Sequence, residues 1–312
     1  MSFNLQPLKR FWQSYGTIRS LATSASDVHW APPPKNAKVW VGLSGGVDSS
    51  VSARLLVEAG FDVKPYYMRN WDTLDEVSGS GGCEWEKDWD DVQRICRESL
   101  GGVKPDLLDL SSKYWQDVFQ PALESWQLGE TPNPDVTCNS EIKFKALPDV
   151  LLARDPTAWL ATGHYARLMP SPITSSIPAL HRSTYPLKDQ SYYLSTSPVG
   201  ALSRTIFPLG DFASKEEVRK LARKWNLHTS EKRDSMGICF VGVRKNFSDF
   251  IDGYILPSPG NIELESGKIV GKHGGLWRYT IGEGARVGGL KERMFIGRKV
   301  LERNAVIIVP GE

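Results

Sequence analysis

No run of 18 consecutive apolar residues occurs in this 312-residue chain, so no segment has the length and hydropathy of a membrane-crossing helix and no membrane partner is expected. Cysteine is scarce too. The four cysteines, Cys83, Cys96, Cys138 and Cys239, are too few and too scattered for a disulfide scaffold or a paired zinc site. Net charge nearly vanishes: 38 basic side chains against 36 acidic leave +2. A nucleic-acid partner would therefore be met by local basic surface, not by a field of the whole molecule. That charge is uneven. Residues 71–98 hold nine acidic against three basic side chains, and residues 201–248 hold ten basic against five acidic. The second segment is where phosphate contacts are sought, although a solvated helix face accounts for it equally well. Acid is missing from the first 26 residues, Asp27 being the first. Lys9, Arg10 and Arg19 stand there among serines and apolar residues, the pattern of a mitochondrial transit peptide rather than a secretory signal. Ala31-Pro32-Pro33-Pro34 then reads as a linker.

What is present centres on Val39 to Ser50. Alternating Val39, Val41 and Leu43 predict a strand, and Val51, Leu55, Leu56 and Ala59 predict a helix. Between them, Gly45 and Gly46 free the backbone so that several N–H groups can converge, beside the hydroxyls of Ser44, Ser49 and Ser50 and the positive end of the helix dipole. Such a turn suits a polyanion. It lacks the Walker spacing and has no lysine at the turn. Strand, Ser-Gly-Gly-x-Asp-Ser, helix instead resembles the PP-loop of ATP pyrophosphatases.

Further along, Asp62 to Met68 reads as a strand, Asn70 to Asp90 as a long acidic surface loop, and Val92, Ile95, Cys96 and Leu100 as one helix face. Strands at 107–110 and 158–162 follow, separated by a helix at 114–128. Strands alternating with helices over residues 38 to about 200 predict an α/β fold, a doubly wound parallel sheet with ligands at the carboxyl ends of its strands. Ser214-Lys215-Glu216-Glu217 is a capping box opening a basic helix. The glycine-rich remainder predicts a smaller α+β domain.

Two cysteines lie in distinctive settings. Cys138 follows Thr131-Pro132-Asn133-Pro134-Asp135-Val136-Thr137, where a helix beginning nearby would favour the thiolate. Cys239 lies in Gly237-Ile238-Cys239-Phe240-Val241-Gly242, just after Lys232 and Arg233. Either alone is equally well read as a small buried hydrophobe. Four passages in order, however, resemble the tRNA-specific 2-thiouridylases, bacterial and mitochondrial: Ser44–Ser50, Thr131–Phe144, Gly163–Arg167 with Lys188–Leu194, and Gly237–Gly242.

That resemblance implies ATP-dependent 2-thiolation of the wobble uridine of mitochondrial tRNAs in the matrix. Ser44, Gly45, Gly46, Asp48, Ser49 and Ser50 would hold the phosphates of ATP, with Mg²⁺ offsetting their charge and no standing metal site in the protein. Met68 and Gly163 would lie on the adenine side, and Lys188 and Gln190 by phosphate or ribose. Cys239 would carry a persulfide delivered by a relay protein, Cys138 would close a disulfide on it, and Asp135 would shuttle the proton. Lys143, Lys145, Arg219, Arg223, Lys232 and Arg233 would contact tRNA, and the chain would act as a monomer. The implied divisions are a transit peptide and linker at 1–35, a PP-loop domain at 36–205, a central tRNA-binding domain at 206–275 and the start of a truncated β-barrel at 276–312. That last division rests on Glu283-Gly284-Ala285-Arg286, where the family reads Gln-Arg, and on a strand-like 305–309 expected to lack a partner. Two other readings compete: a PP-loop ligase or amidase, which leaves the two cysteines unexplained, and a non-catalytic tRNA-binding relative.

Overall fold

A computed structural model describes residues 30–71, 84–171, 173–174, 176–234 and 250–311. The transit-peptide reading, Cys83 and the whole Gly237–Gly242 passage with Cys239 lie outside these residues. The described chain forms two compact units, one of residues 30–114 and 135–234, the other of residues 115–134 and 250–311.

The first unit is built on five parallel strands: β1 (Lys38–Gly42), β2 (Asp62–Arg69), β3 (Asp106–Asp109), β4 (Trp159–Ala161) and β7 (Thr205–Ile206). Their order is β3-β2-β1-β4-β7. Val39 and Val41 are fully buried in the central strand, as the alternation predicts. Helix α1 (Val47–Glu58) follows β1 directly and buries Val47, Val51, Ala53, Leu55 and Leu56. The strand order reverses direction between β1 and β4, and such a switch leaves a crevice outside the carboxyl ends of those two strands. The Ser44–Gly46 turn and Gly163-His164 both lie at that end. A β5–β6 hairpin (Ala166–Pro170 and Pro178–Arg182) follows β4.

Helix α2 (Glu84–Ser99) corrects the reading of Asn70 to Asp90 as one long loop. Trp85 and Trp89 continue the spacing of Val92 and Cys96 and pack against the core of the first unit, so the apolar face outweighs the acids between them. Burial pushes the Cys96 thiol up to about 12, in keeping with an inert core residue.

In the second unit, β8 (Gly260–Leu264), β9 (Ile269–His273), β10 (Met294–Val300) and β11 (Ala305–Pro310) make one sheet in the order β10-β11-β8-β9. Strand β11 is central, antiparallel to β10 and parallel to β8, and its residues Ala305 to Ile308 are buried. The strand near the end of the chain therefore has a partner on both sides, contrary to expectation. Trp115 and Phe119, on a π-helical turn, stack with Tyr254, and Phe119 also meets Phe250.

The sequence divisions at 205/206 and 275/276 do not follow these units. Helix α3 (Lys215–Lys224) packs against α1 in the first unit, and β8 to β11 span residue 275 within one sheet. Burial of the Val218 and Ala222 face holds α3 there.

Candidate functional site

The turn after β1 is organised by its own hydroxyls. Ser44 N–H donates to Ser49 Oγ at 3.1 Å, and Ser49 and Ser50 hydroxyls donate to the Gly46 carbonyl at 3.1 and 2.7 Å. These bonds curl the backbone over the head of α1, whose N-cap, Gly46, supplies no side-chain cap. Gly45 has φ +71, and a Cβ there would lie 2.9 Å from the Asp88 carbonyl oxygen of α2. Pairing of β1 with β2 ends at Gly42 opposite Tyr66, with Leu43 N–H donating to the Tyr66 carbonyl at 2.8 Å. Met68 thus lies two residues past the part of β2 paired with β1, still paired with Leu108 of β3. Gly163 comes close from the other side: a Cβ on it would stand 3.0 Å from Ser49 N. Its smallness serves the approach of the β4 end to α1.

Asp48, in the first turn of α1, is held at both oxygens. Tyr165 Oη donates to Oδ1 at 2.8 Å and Lys215 Nζ to Oδ2 at 2.6 Å. Burial and the charge of Asp48 push the Tyr165 phenol far up, so it stays a donor. Lys215 also reaches Asp234 Oδ1 at 2.9 Å, and Asp234 in turn receives Lys188 at 2.7 Å and Arg219 at 3.2 Å. Burial alone would raise the Asp234 carboxyl, but bonds from Lys188 and Lys215 draw it down to about 2. Gln190 is bonded to Tyr165 from both its side chain and its backbone. Its Oε1 accepts the Tyr165 N–H at 3.0 Å and its N–H donates to the Tyr165 carbonyl at 2.9 Å, fixing that tyrosine.

Cys138 is fully buried. The helical run starts earlier than the sequence suggested, at Pro134–Thr137, and Cys138 opens a π-helical stretch, Cys138–Ala146. The thiol is therefore one turn inside the run and away from the dipole end, because Pro134 takes the first helical position. Asn70, one residue past β2, points its Nδ2 at Cys138 Sγ from 4.0 Å. Asn139 Nδ2 donates to the Asp135 carbonyl at 2.9 Å, bracing the turn that carries Asp135. Asn70 and Asn139 are both buried, and the Oδ1 of each has no hydrogen-bond partner among the described residues. His164 lies between Phe144 and Phe207, bonded through Nδ1 to Thr162 Oγ1 at 2.7 Å. Burial and the nearby Lys143 charge hold its imidazole well below the usual range, so it is neutral at pH 7. A phosphate-type turn at the end of β1 and a thiol at the end of neighbouring β2 thus share one unit.

Known proteins match this chain. The family described as tRNA methyl transferase HUP domain matches residues 37–243, and the tRNA methyl transferase PRC-barrel domain matches residues 248–310. A tRNA-specific 2-thiouridylase MnmA of Pseudomonas putida (strain GB-1) is 42% identical over 284 residues, 89% of this chain and 73% of that protein. A protein of the same description from Lysinibacillus sphaericus (strain C3-41) is 42% identical over 280 residues, 89% of this chain and 72% of that one. The chain belongs to the tRNA-specific 2-thiouridylase family. Among solved structures, NMN synthetase from Francisella tularensis superposes with a TM-score of 0.42 at 14% identity, over 75% of this chain and 76% of that one. A superposition that loose adds no weight to the assignment.

In this 2-thiouridylase family member, several basic residues expected to meet tRNA are engaged internally. Arg219 donates to the carbonyls of Ser230 and Lys232 as well as to Asp234, and is a brace for that segment. Lys232 bridges Asp88 at 2.7 Å and Asp91 at 2.6 Å. Arg223 pairs with Glu216 at 2.7 Å, and Lys145 with Glu141 at 2.5 Å, on exposed surface where screening makes such pairs easy to exchange. Arg233 is exposed. Sequence reasoning missed Tyr165 and Lys215 as partners of Asp48, and Asp234 as the second carboxylate on Lys215. The only local signals of Tyr165 and Lys215 were membership of the Gly163–Arg167 passage and of a capping box; Asp234 had none.

Proposed function

We propose that the chain catalyses ATP-dependent 2-thiolation of the wobble uridine of mitochondrial tRNAs. Membership of the 2-thiouridylase family supports thiolation of a tRNA uridine and makes the chain a sulfurtransferase. The observation that carries the finer reading is the serine-braced, uncapped turn at the β1–β4 switch together with Cys138 beside the end of β2.

ATP would lie with its phosphates over Ser44–Ser50 and its adenine toward Met68 and Gly163. Asp48 already serves Tyr165 and Lys215. Mg²⁺ would come with the nucleotide and offset phosphate charge. The uracil oxygen O2 is a poor leaving group. Its attack on the α-phosphate releases pyrophosphate and turns the oxygen into a leaving adenylate. A persulfide on Cys239, supplied by a relay protein, would bring its terminal sulfur to C2. The Cys138 thiolate would then attack the inner sulfur of Cys239, so that the terminal sulfur stays on the base as AMP leaves. The Cys138–Cys239 disulfide so formed would be opened by a thiol reductant. Asp135 would carry the proton. Asn70 Oδ1 and Asn139 Oδ1 would offer acceptors for the uracil N3–H. Lys188 would lie by phosphate or ribose of the nucleotide. Lys143, Lys145, Arg223 and Arg233 would meet the tRNA backbone, Lys232 joining them as its ion pairs exchange. The chain would work as a monomer, in the mitochondrial matrix.

Purified protein given a wobble-uridine tRNA transcript, ATP and a persulfide donor should yield 2-thiouridine, read by nucleoside mass spectrometry. Unmodified uridine with every component present would refute the reading.

A further inference from the structure

The phosphate turn has no lysine in its own sequence, yet the fold brings one to it. Lys215 comes from 167 positions further along the chain and sits 2.6 Å from Asp48, inside the first turn of α1. Its side chain is only 13% exposed, which fixes its ammonium in a narrow range of positions. Three cations, Lys188, Lys215 and Arg219, share two carboxylates, Asp48 and Asp234, so this cluster carries an excess of positive charge beside the turn. In Walker loops a lysine inside the turn neutralises the outer phosphates. Helix α3, through its first residue, delivers the same charge from outside.

We propose that Lys215 is the polyphosphate-binding ammonium of this site: it positions Asp48 in the ligand-free protein and turns toward the outer phosphates of bound ATP, with Asp234 as its second anchor. The inference rests on ATP binding at the Ser44–Ser50 turn and adds to it the residue that discriminates polyphosphate from nucleoside. Two properties separate this role from a purely structural one. A phosphate contact weakens ATP and pyrophosphate while leaving adenosine untouched. It also carries one charge of the salt dependence of binding.

Equilibrium binding of ATP, pyrophosphate and adenosine to the full chain, as wild type and as Lys215→Gln, Lys215→Arg and Asp234→Asn, tests this. Lys215→Gln should lower ATP and pyrophosphate affinity about ten- to a hundredfold, the range for a lost charge-assisted bond, with adenosine unchanged and a shallower salt dependence. Lys215→Arg should recover most of that loss. Asp234→Asn releases Lys215 from a competing carboxylate and should keep pyrophosphate affinity or raise it; this variant decides the matter if Lys215→Gln does not fold. Unchanged pyrophosphate affinity in Lys215→Gln, equal losses for ATP and adenosine, or weaker pyrophosphate binding in Asp234→Asn would each overturn the proposal. A wild-type chain that binds no ATP would instead refute the nucleotide site itself.

Discussion

Gly163, at the end of β4, comes so near α1 that a Cβ on it would stand 3.0 Å from the backbone nitrogen of Ser49. The neighbour there is backbone, which cannot swing aside as a side chain could. Gly163→Ala should therefore push the head of α1 away from β4, costing about 1–3 kcal/mol of stability. ATP affinity should fall about tenfold or more, because the turn proposed to hold the phosphates is displaced with the head of α1. Thermal denaturation and nucleotide titration on one sample read both effects.

Removing Asp48 should leave one buried donor stranded. In Asp48→Ala the Tyr165 hydroxyl loses its acceptor and Lys215 keeps only Asp234. An orphaned buried donor costs about 1–3 kcal/mol, so the midpoint of urea unfolding should drop. Pyrophosphate release with ATP and tRNA should fall as well. A variant with wild-type turnover would contradict the phosphate-site assignment.

Acid should loosen the α3 attachment. Asp234 has its carboxyl drawn from 3.8 down to about 2 in the folded chain. A depressed carboxylate contributes stability that is complete above the unfolded value and is lost as pH falls through the folded one, here between roughly pH 4 and pH 2. The contribution is about 2 kcal/mol at most, and Asp234→Asn should flatten the acid limb of a stability–pH curve by that amount.

The thiols divide into two kinds. Cys138→Ser and Cys239→Ser should each abolish thiolation while ATP still binds. Cys138, having no exposed surface, should react with iodoacetamide slowly in the free protein. Addition of tRNA and ATP should accelerate that reaction, read by peptide mass spectrometry. A rate unmoved by substrates would count against Cys138 as a partner in the exchange.

A fusion of residues 1–35 to a fluorescent protein should collect in the mitochondrial matrix, and Lys9, Arg10 and Arg19 replaced together by Glu should leave it outside. Cytosolic fluorescence from the unmodified fusion would refute the address.

The phosphate turn was legible because everything that makes it lies within a dozen consecutive residues: Val39 and Val41 inside, two glycines, then the α1 face. The start of α2 was not, because Trp85 and Trp89 are single apolar residues among acids, and only the core they pack on gives them a common face. Lys215 escaped notice because its partner is 167 positions away. The two-unit division escaped it too, since residues 115–134 separate the pieces of the first unit in the chain while belonging to the second. Local periodicity carries no information about such distant pairing.

The aromatic nest of the second unit has a consequence for biosynthesis. Trp115 and Phe119 leave the ribosome well over a hundred residues before Phe250 and Tyr254, the rings that shelter them. At about 5–20 residues per second the nascent chain carries those two rings uncovered for roughly six seconds or longer. Over that interval the growing polypeptide offers a hydrophobic patch to any chaperone that scans it, and the first unit completes its chain while the inserted segment still waits for its partner rings.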